Sequence, residues 1–203
     1  MHLDANFDDL NESSLGSSFS DDGIIFSNLD ERIPGPSVNT FTIQATTANL
    51  PGFSPPNYLT FEGFVPGDTS GFGFGIFGSA DIDFSGIGSF ASMSVMAFGT
   101  SSRNTVTLEG LMDGSVVASD TITFYSTSPD VVGQTLSIAG IFDSMQLVAA
   151  GPDNNGVVDM GVDNVDITIV PEPPVSSFVC CALAVVILRH FSFRARRNQK
   201  AQQ

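Results

Sequence analysis

The sequence predicts an all-β domain, a β-sandwich or jelly roll, followed by a single C-terminal transmembrane helix. Three observations carry that fold class. Residues 1–170 break into short runs rich in Val, Ile, Thr and Phe, punctuated by Gly, Ser, Asn and Asp. No amphipathic helical pattern longer than two turns precedes residue 171. Beyond Pro171 the chain changes character: prolines, then a charge-free apolar run at 175–188, then a basic end.

In chain order, the runs predict strands at 23–29, 39–45, 58–64, 73–77, 80–84, 90–98, 105–112, 115–124, 135–138, 144–149 and 162–170. Met93, Val95 and Ala97 alternate with Ser92, Ser94 and Met96, as a half-buried strand does. Val106, Leu108 and Gly110 alternate with Thr105, Thr107 and Glu109. Asp113-Gly114 between two such runs is the chain's strongest hairpin signal. Near the end of the domain, Asp163, Val165, Ile167 and Ile169 form one face and are expected to point to the core. Around residues 69–78 glycines alternate with Phe72, Phe74 and Ile76, which reads as an edge strand or a Gly-rich loop.

Of the 203 residues, 1–170 suffice for one domain with a sizeable core, and 171–203 form a separate tail. Residues 1–170 hold 21 acidic residues against Arg32 and Arg103, a net −19, while the tail is net +4. So acidic a domain repels nucleic acid backbones, and nucleic acid is not an expected partner. It attracts cations, among which Ca²⁺ favours carboxylate and carbonyl oxygens. Both cysteines, Cys180 and Cys181, lie in the tail, so the domain is not stapled by disulfides.

The tail has three parts in order. Pro171, Glu172 and Pro173 form a rigid punctuation. The 14 residues 175–188 span about 21 Å as a helix, and continuing through Phe193 brings this to roughly 28 Å, close to a bilayer core. Arg189, Arg194, Arg196, Arg197 and Lys200 then form a basic stop that stays on the cytoplasmic side. This pattern resembles the PEP-CTERM sorting signal of exported proteins of Gram-negative bacteria. The resemblance implies recognition by an exosortase-type membrane enzyme. It also implies anchorage through the C-terminal helix and delivery of the domain to the cell surface or, after processing, outside the cell. Export requires a signal peptide with a positive and then an apolar region. Residues 1–9 are acidic instead, so the expectation is a start upstream of Met1.

A second resemblance covers the domain. Phe7-Asp8-Asp9-Leu10, Asp22-Gly23-Ile24-Ile25-Phe26 and Val162-Asp163-Asn164-Val165 are similar to segments of other PEP-CTERM proteins, whose exported domains look like carbohydrate-binding jelly rolls. The resemblance implies that first and last strands lie together and share a structural Ca²⁺. Carried onto this sequence, Asp8 or Asp9 would meet Asp163, with carbonyl help from residues 153–156.

Catalysis has little support in the sequence. His2 and His190 are the chain's two histidines, one at each extreme, so a nucleophile–histidine pair has no partner inside the domain. No spacing singles out a carboxylate pair among Glu12, Glu31, Glu62, Glu109 and the aspartates. The expectation is a non-enzymatic structural protein of the cell surface or extracellular matrix. The alternative is a carbohydrate-binding module that holds exopolysaccharide. With no Trp in the chain, sugar stacking would fall to Tyr58, Tyr125 or Phe.

Overall fold

The structure, a computed structural model, describes residues 1–11, 13–30, 40–47, 51–64, 78–99, 104–125, 133–150 and 158–171. Glu172, Pro173, the 175–188 run, Arg189, Arg194, Arg196 and Arg197 lie outside them, as does the strand expected at 73–77. Among the described residues no helix is long and apolar enough to cross a membrane. Residues 1–170 form one unit, and the tail from Pro171 forms another.

Every regular element among the described residues is a strand. In order they are β1 (His2–Ala5), β2 (Ser13–Gly16), β3 (Phe19–Asp21), β4 (Ile24–Asp30), β5 (Thr40–Thr47) and β6 (Asn57–Phe64). Then come β7 (Ser79–Gly99), β8 (Asn104–Met112), β9 (Ser115–Phe124), β10 (Gln134–Ala150) and β11 (Val158–Ile169). The expected all-β class holds, and the arrangement is that of a β-sandwich. Three strands precede residue 23 that the sequence pattern did not predict. The runs expected as separate strands at 80–84 and 90–98 are one strand, β7. Those at 135–138 and 144–149 are likewise one strand, β10.

These two long strands explain the architecture. The β7–β10 register slips between Ala139 and Ser144, and Gly86 and Gly140 adopt positive φ near the slip. Bulges of this kind bend a strand, so each long strand serves two layers. The first layer is β2-β5-β6-β11 with the C-terminal half of β7 and the N-terminal half of β10. The second is β3-β4, the other halves of β7 and β10, then β8 and β9. The layers face one another: Phe26 of β4 and Phe61 of β6 lie 6.2 Å apart between ring centroids, though their strands are not paired. Phe142 fills the bend, edge-on to Phe84 at 5.9 Å and packed against the bare backbone of Gly88 and Gly110.

The two hairpins with Asp-Gly turns follow from local chemistry. Asp22-Gly23 and Asp113-Gly114 have positive φ at both residues, the twist-matched turn that such pairs favour. Asp143 Oδ2 accepts the Asp113 amide at 3.0 Å, and Ser144 Oγ donates to Asp143 Oδ1 at 3.0 Å. These bonds hold the Asp143 carboxyl below its usual range.

Candidate functional site

The last strand builds the first site. β11 pairs with β6 through Met160–Val162 and with β1 through Val165–Thr168, along the same edge. The changeover falls at Asp163 and Asn164, where the β11–β7 register also slips and Asn164 takes a φ of 51°. This bulge corrects the expected face. Val165, Ile167 and Ile169 do point into the core, but so does Val162, while Asp163 turns to the outer side of the first layer. The turn leaving β1 and the segment entering β6 both converge on that changeover.

Two segments cover Asp163. Residues 51–57 cross the outer face of the first layer, where Phe53 stacks on Tyr58 at 5.2 Å and the Gly133 amide donates to the Pro51 carbonyl at 2.7 Å. Beneath them Tyr58, Thr60, Ser94 and Met96, outward by alternation, are buried. The other segment is the turn at residues 6–10. Its Phe7 has a φ of 60°, unfavourable for a bulky side chain, and is held there by a buried ring packed edge-on to Phe26 at 5.8 Å. Asn57 ties the segments together, donating from Nδ2 to the carbonyls of Asp8 (3.1 Å) and Leu10.

Asp163 is 0 % exposed. Its Oδ2 accepts from the Ser54 amide at 2.6 Å, Ser54 Oγ at 3.0 Å and Asn164 Nδ2 at 3.1 Å. Its Oδ1 is buried and has no partner among the described residues. Asp8 Oδ1 lies 3.4 Å from the same Ser54 hydroxyl. Burial pushes the Asp163 carboxyl up to about 6, and the Asp8 charge adds to the rise, against the hydrogen bonds from Ser54 and Asn164.

Of the residues expected at a cation, Asp8 and Asp163 are therefore brought together and Asp9 is not. Asp9 is exposed and sits with Asp4 and Asp22 around Asp21, whose carboxyl is raised first by burial and then by those neighbouring charges. Residues 153–156 lie outside the described residues. Among the described residues no three His, Cys, Asp or Glu side chains are placed to hold a metal ion together. The donor set still suits a hard cation: an orphaned buried carboxylate oxygen, a second carboxylate and a hydroxyl between them. Sequence reasoning missed Ser54 and Asn57. The Ser54-Pro55-Pro56-Asn57 stretch reads only as a turn until β6 and β11 are seen to pair.

A second cluster lies on the outer face of the second layer. Glu109 of β8, Gln146 of β10, Asp81 of β7 and Ser27 of β4 stand in register across four neighbouring strands. Gln146 Nε2 donates to Asp81 Oδ1 at 2.8 Å, and Asn28 Nδ2 donates to Asp81 Oδ2 at 3.0 Å. Asn28 reaches there because β4 bulges between Ser27 and Asp30, with φ 50° at Asn28. Asp83 and the Thr107–Thr121 hydroxyl pair, 2.9 Å apart, flank this row. Tyr125, one residue past β9, is 74 % exposed and continues its outward set, whereas Tyr58 is buried and offers no platform. His2 is exposed and pairs with Asp166 at 3.2 Å, remote from this row in the ladder.

No protein-family model and no curated protein matches the chain. Solved structures are similar at low identity. An arabinose-bound α-L-arabinofuranosidase is 13 % identical at a TM-score of 0.46 over 81 % of this chain, which spans 26 % of the enzyme. A carbohydrate-binding module specific for non-crystalline cellulose is 17 % identical at 0.40, covering 79 % of this chain and 96 % of the module. A cyclase from Fischerella sp. TAU is 13 % identical at 0.44, covering 85 % and 100 %. At such distances neither activity nor ligand transfers to this chain.

Proposed function

We propose that this chain is an exported, non-enzymatic β-sandwich module that holds polysaccharide on the outer face of its second layer. One observation carries the reading: the Asp81 carboxylate, fixed between the amides of Gln146 and Asn28, in a row that runs on to Glu109. Neighbouring strands place such groups about 4.8 Å apart, a pitch near that of successive rings in an extended glycan. Carboxylates accept and amides both donate and accept, which suits the paired hydroxyls of a sugar. Each Asp81 oxygen accepts one of these amide bonds and keeps lone-pair capacity for a ligand.

A Ca²⁺ belongs to the same reading as a structural ion, held by Asp163 and Asp8 with Ser54 between them. The tail supplies delivery. Pro171, Glu172 and Pro173 act as the motif read by an exosortase-type membrane enzyme. The helix built on 175–188 anchors the chain, and Arg189, Arg194, Arg196 and Arg197 keep its end in the cytoplasm. The domain then stands at the cell surface or is released.

A glycan array with the full-length chain, followed by titration of the best polymer, tests the binding. Asp81→Ala should weaken it about tenfold or more, since a hydrogen bond to a charged group contributes about 1.5–3 kcal/mol. Absence of binding to any polysaccharide, or equal affinity in the Asp81→Ala variant, refutes it.

A further inference from the structure

We propose that residues 51–57 are a cation-locked strap: a cation held at Asp163 keeps the segment closed over the first layer, and its loss frees it. This rests on the reading of Asp163 and Asp8 as cation ligands, and adds a moving part to it.

The strap is tied at Ser54 and at Pro51, and its last residue, Asn57, opens β6 and donates to the Asp8 and Leu10 carbonyls. Ser54 gives both its amide and its hydroxyl to the single oxygen Asp163 Oδ2. At its other end the Pro51 carbonyl accepts from Gly133, and Gly52 approaches Gly133 so closely that a side chain on Gly52 would strike its backbone. Phe53 is the strap's buried apolar side chain, while Pro51, Gly52, Pro55 and Pro56 are exposed. One stacked ring and a few hydrogen bonds are a small holding force for a segment of this length. Such segments open at free energies well below that of global unfolding.

Asp163 decides whether the tie holds. The Ser54 amide and hydroxyl and the Asn164 side-chain amide converge on Oδ2, while Oδ1 is buried and has no partner among the described residues. A buried carboxylate with a bare oxygen and a second carboxylate close by favours any motion that lets water in, and the strap is what excludes it. A cation on Oδ1 removes that drive and leaves the Oδ2 bonds to Ser54 intact. Asn57 couples the turn of Asp8 to the strap, so Asp8 moves with it relative to Asp163 on β11. Opening would uncover Tyr58, Thr60 and Met96.

Native-state hydrogen exchange of the full-length chain, read at the Ser54 and Gly133 amides and at core amides of β8, tests the strap with Ca²⁺ alone as the probe. In EGTA the two strap amides should exchange far faster than the β8 amides. At a hundredfold excess of Ca²⁺ over its Kd they should slow about a hundredfold. Ser54→Ala, which keeps the amide, should restore fast exchange at Gly133 in Ca²⁺. Slowing in β8 with unchanged strap amides overturns the strap but leaves the cation. No change at any amide overturns both. A Ser54→Ala variant as protected as the wild type also overturns the strap.

Discussion

Replacing Asp163 with Asn tests the electrostatics of the buried site most directly. The side chains are nearly isosteric, and the amide oxygen can keep the Ser54 bonds. In the native protein the carboxyl takes up its proton near pH 6, while in the unfolded chain it does so near 3.8. The native state therefore holds the proton more tightly, and this group's favourable contribution is complete below about pH 3.8. It is lost as pH rises through 6, where the native protein must carry a bare, buried charge. The difference corresponds to ~3 kcal/mol as an upper figure. In EGTA at about pH 8, Asp163→Asn should be more stable than wild type by up to that amount. For a domain of this size that is a rise in Tm of ~6–12 °C. Below about pH 4 the gain should vanish. Millimolar Ca²⁺ should close most or all of that gap, adding ~2.7 kcal/mol to the wild type at a hundredfold excess over Kd and nothing to the variant. Calorimetric melts of both proteins across pH, with and without Ca²⁺, give the answer. A variant less stable than wild type in EGTA at pH 8, or one that gains as much from Ca²⁺, refutes the reasoning.

Gly88→Ala places a methyl against the ring of Phe142, and overpacking of this kind costs about 1–3 kcal/mol in a denaturant melt. Asp143 is held below its usual range by Asp113 and Ser144, so its contribution is present above the ordinary carboxylate range and is lost as pH falls. The protection of the Asp113 amide, relative to its intrinsic exchange rate at each pH, should therefore fall in acid, and likewise in Asp143→Ala at neutral pH. Glu172→Ala should block sorting of the exported chain while leaving the melt of the domain unchanged, as fractionation would show. Protease added to spheroplasts should digest residues 1–170 and spare the basic end; protection of the domain excludes the proposed topology.

Much of the fold is legible because one-sided burial writes a period of two into the sequence. β8 reads correctly from Val106, Leu108 and Gly110, and β9 from its hairpin turn and polar alternation. The misses have physical causes. β1, β2 and β3 are three or four residues long, too short to show a period. The glycines and the slip inside β7 and β10 look like breaks in sequence but are bends in one strand, because a bulge keeps the ladder while losing the alternation. The alternation along β11 assigns Asp163 to the core side, whereas it lies on the outer side. A bulge at Asn164 shifts the phase by one residue, and no local pattern announces it. Ser54 was invisible because its role depends on a partner 109 residues away.

In the proposed reading the two outer faces divide the work. On the first layer the segment 51–57 closes over Tyr58, Thr60 and Met96, and what it encloses is a carboxylate. A buried charge without a counter-charge is costly, and among the described residues there is no Lys or Arg to supply one. In the proposed reading the compensation is a proton at low pH or a metal ion at neutral pH, and only the metal leaves the carboxylate charged. On the second layer no described segment covers the row from Asn28 to Glu109. Its carboxylate is satisfied by amides on adjacent strands and needs no ion to stay in place. Removal of Ca²⁺ should thus loosen the first face while leaving the second able to bind, and a polysaccharide affinity unaffected by EGTA at temperatures below the melt would separate the two.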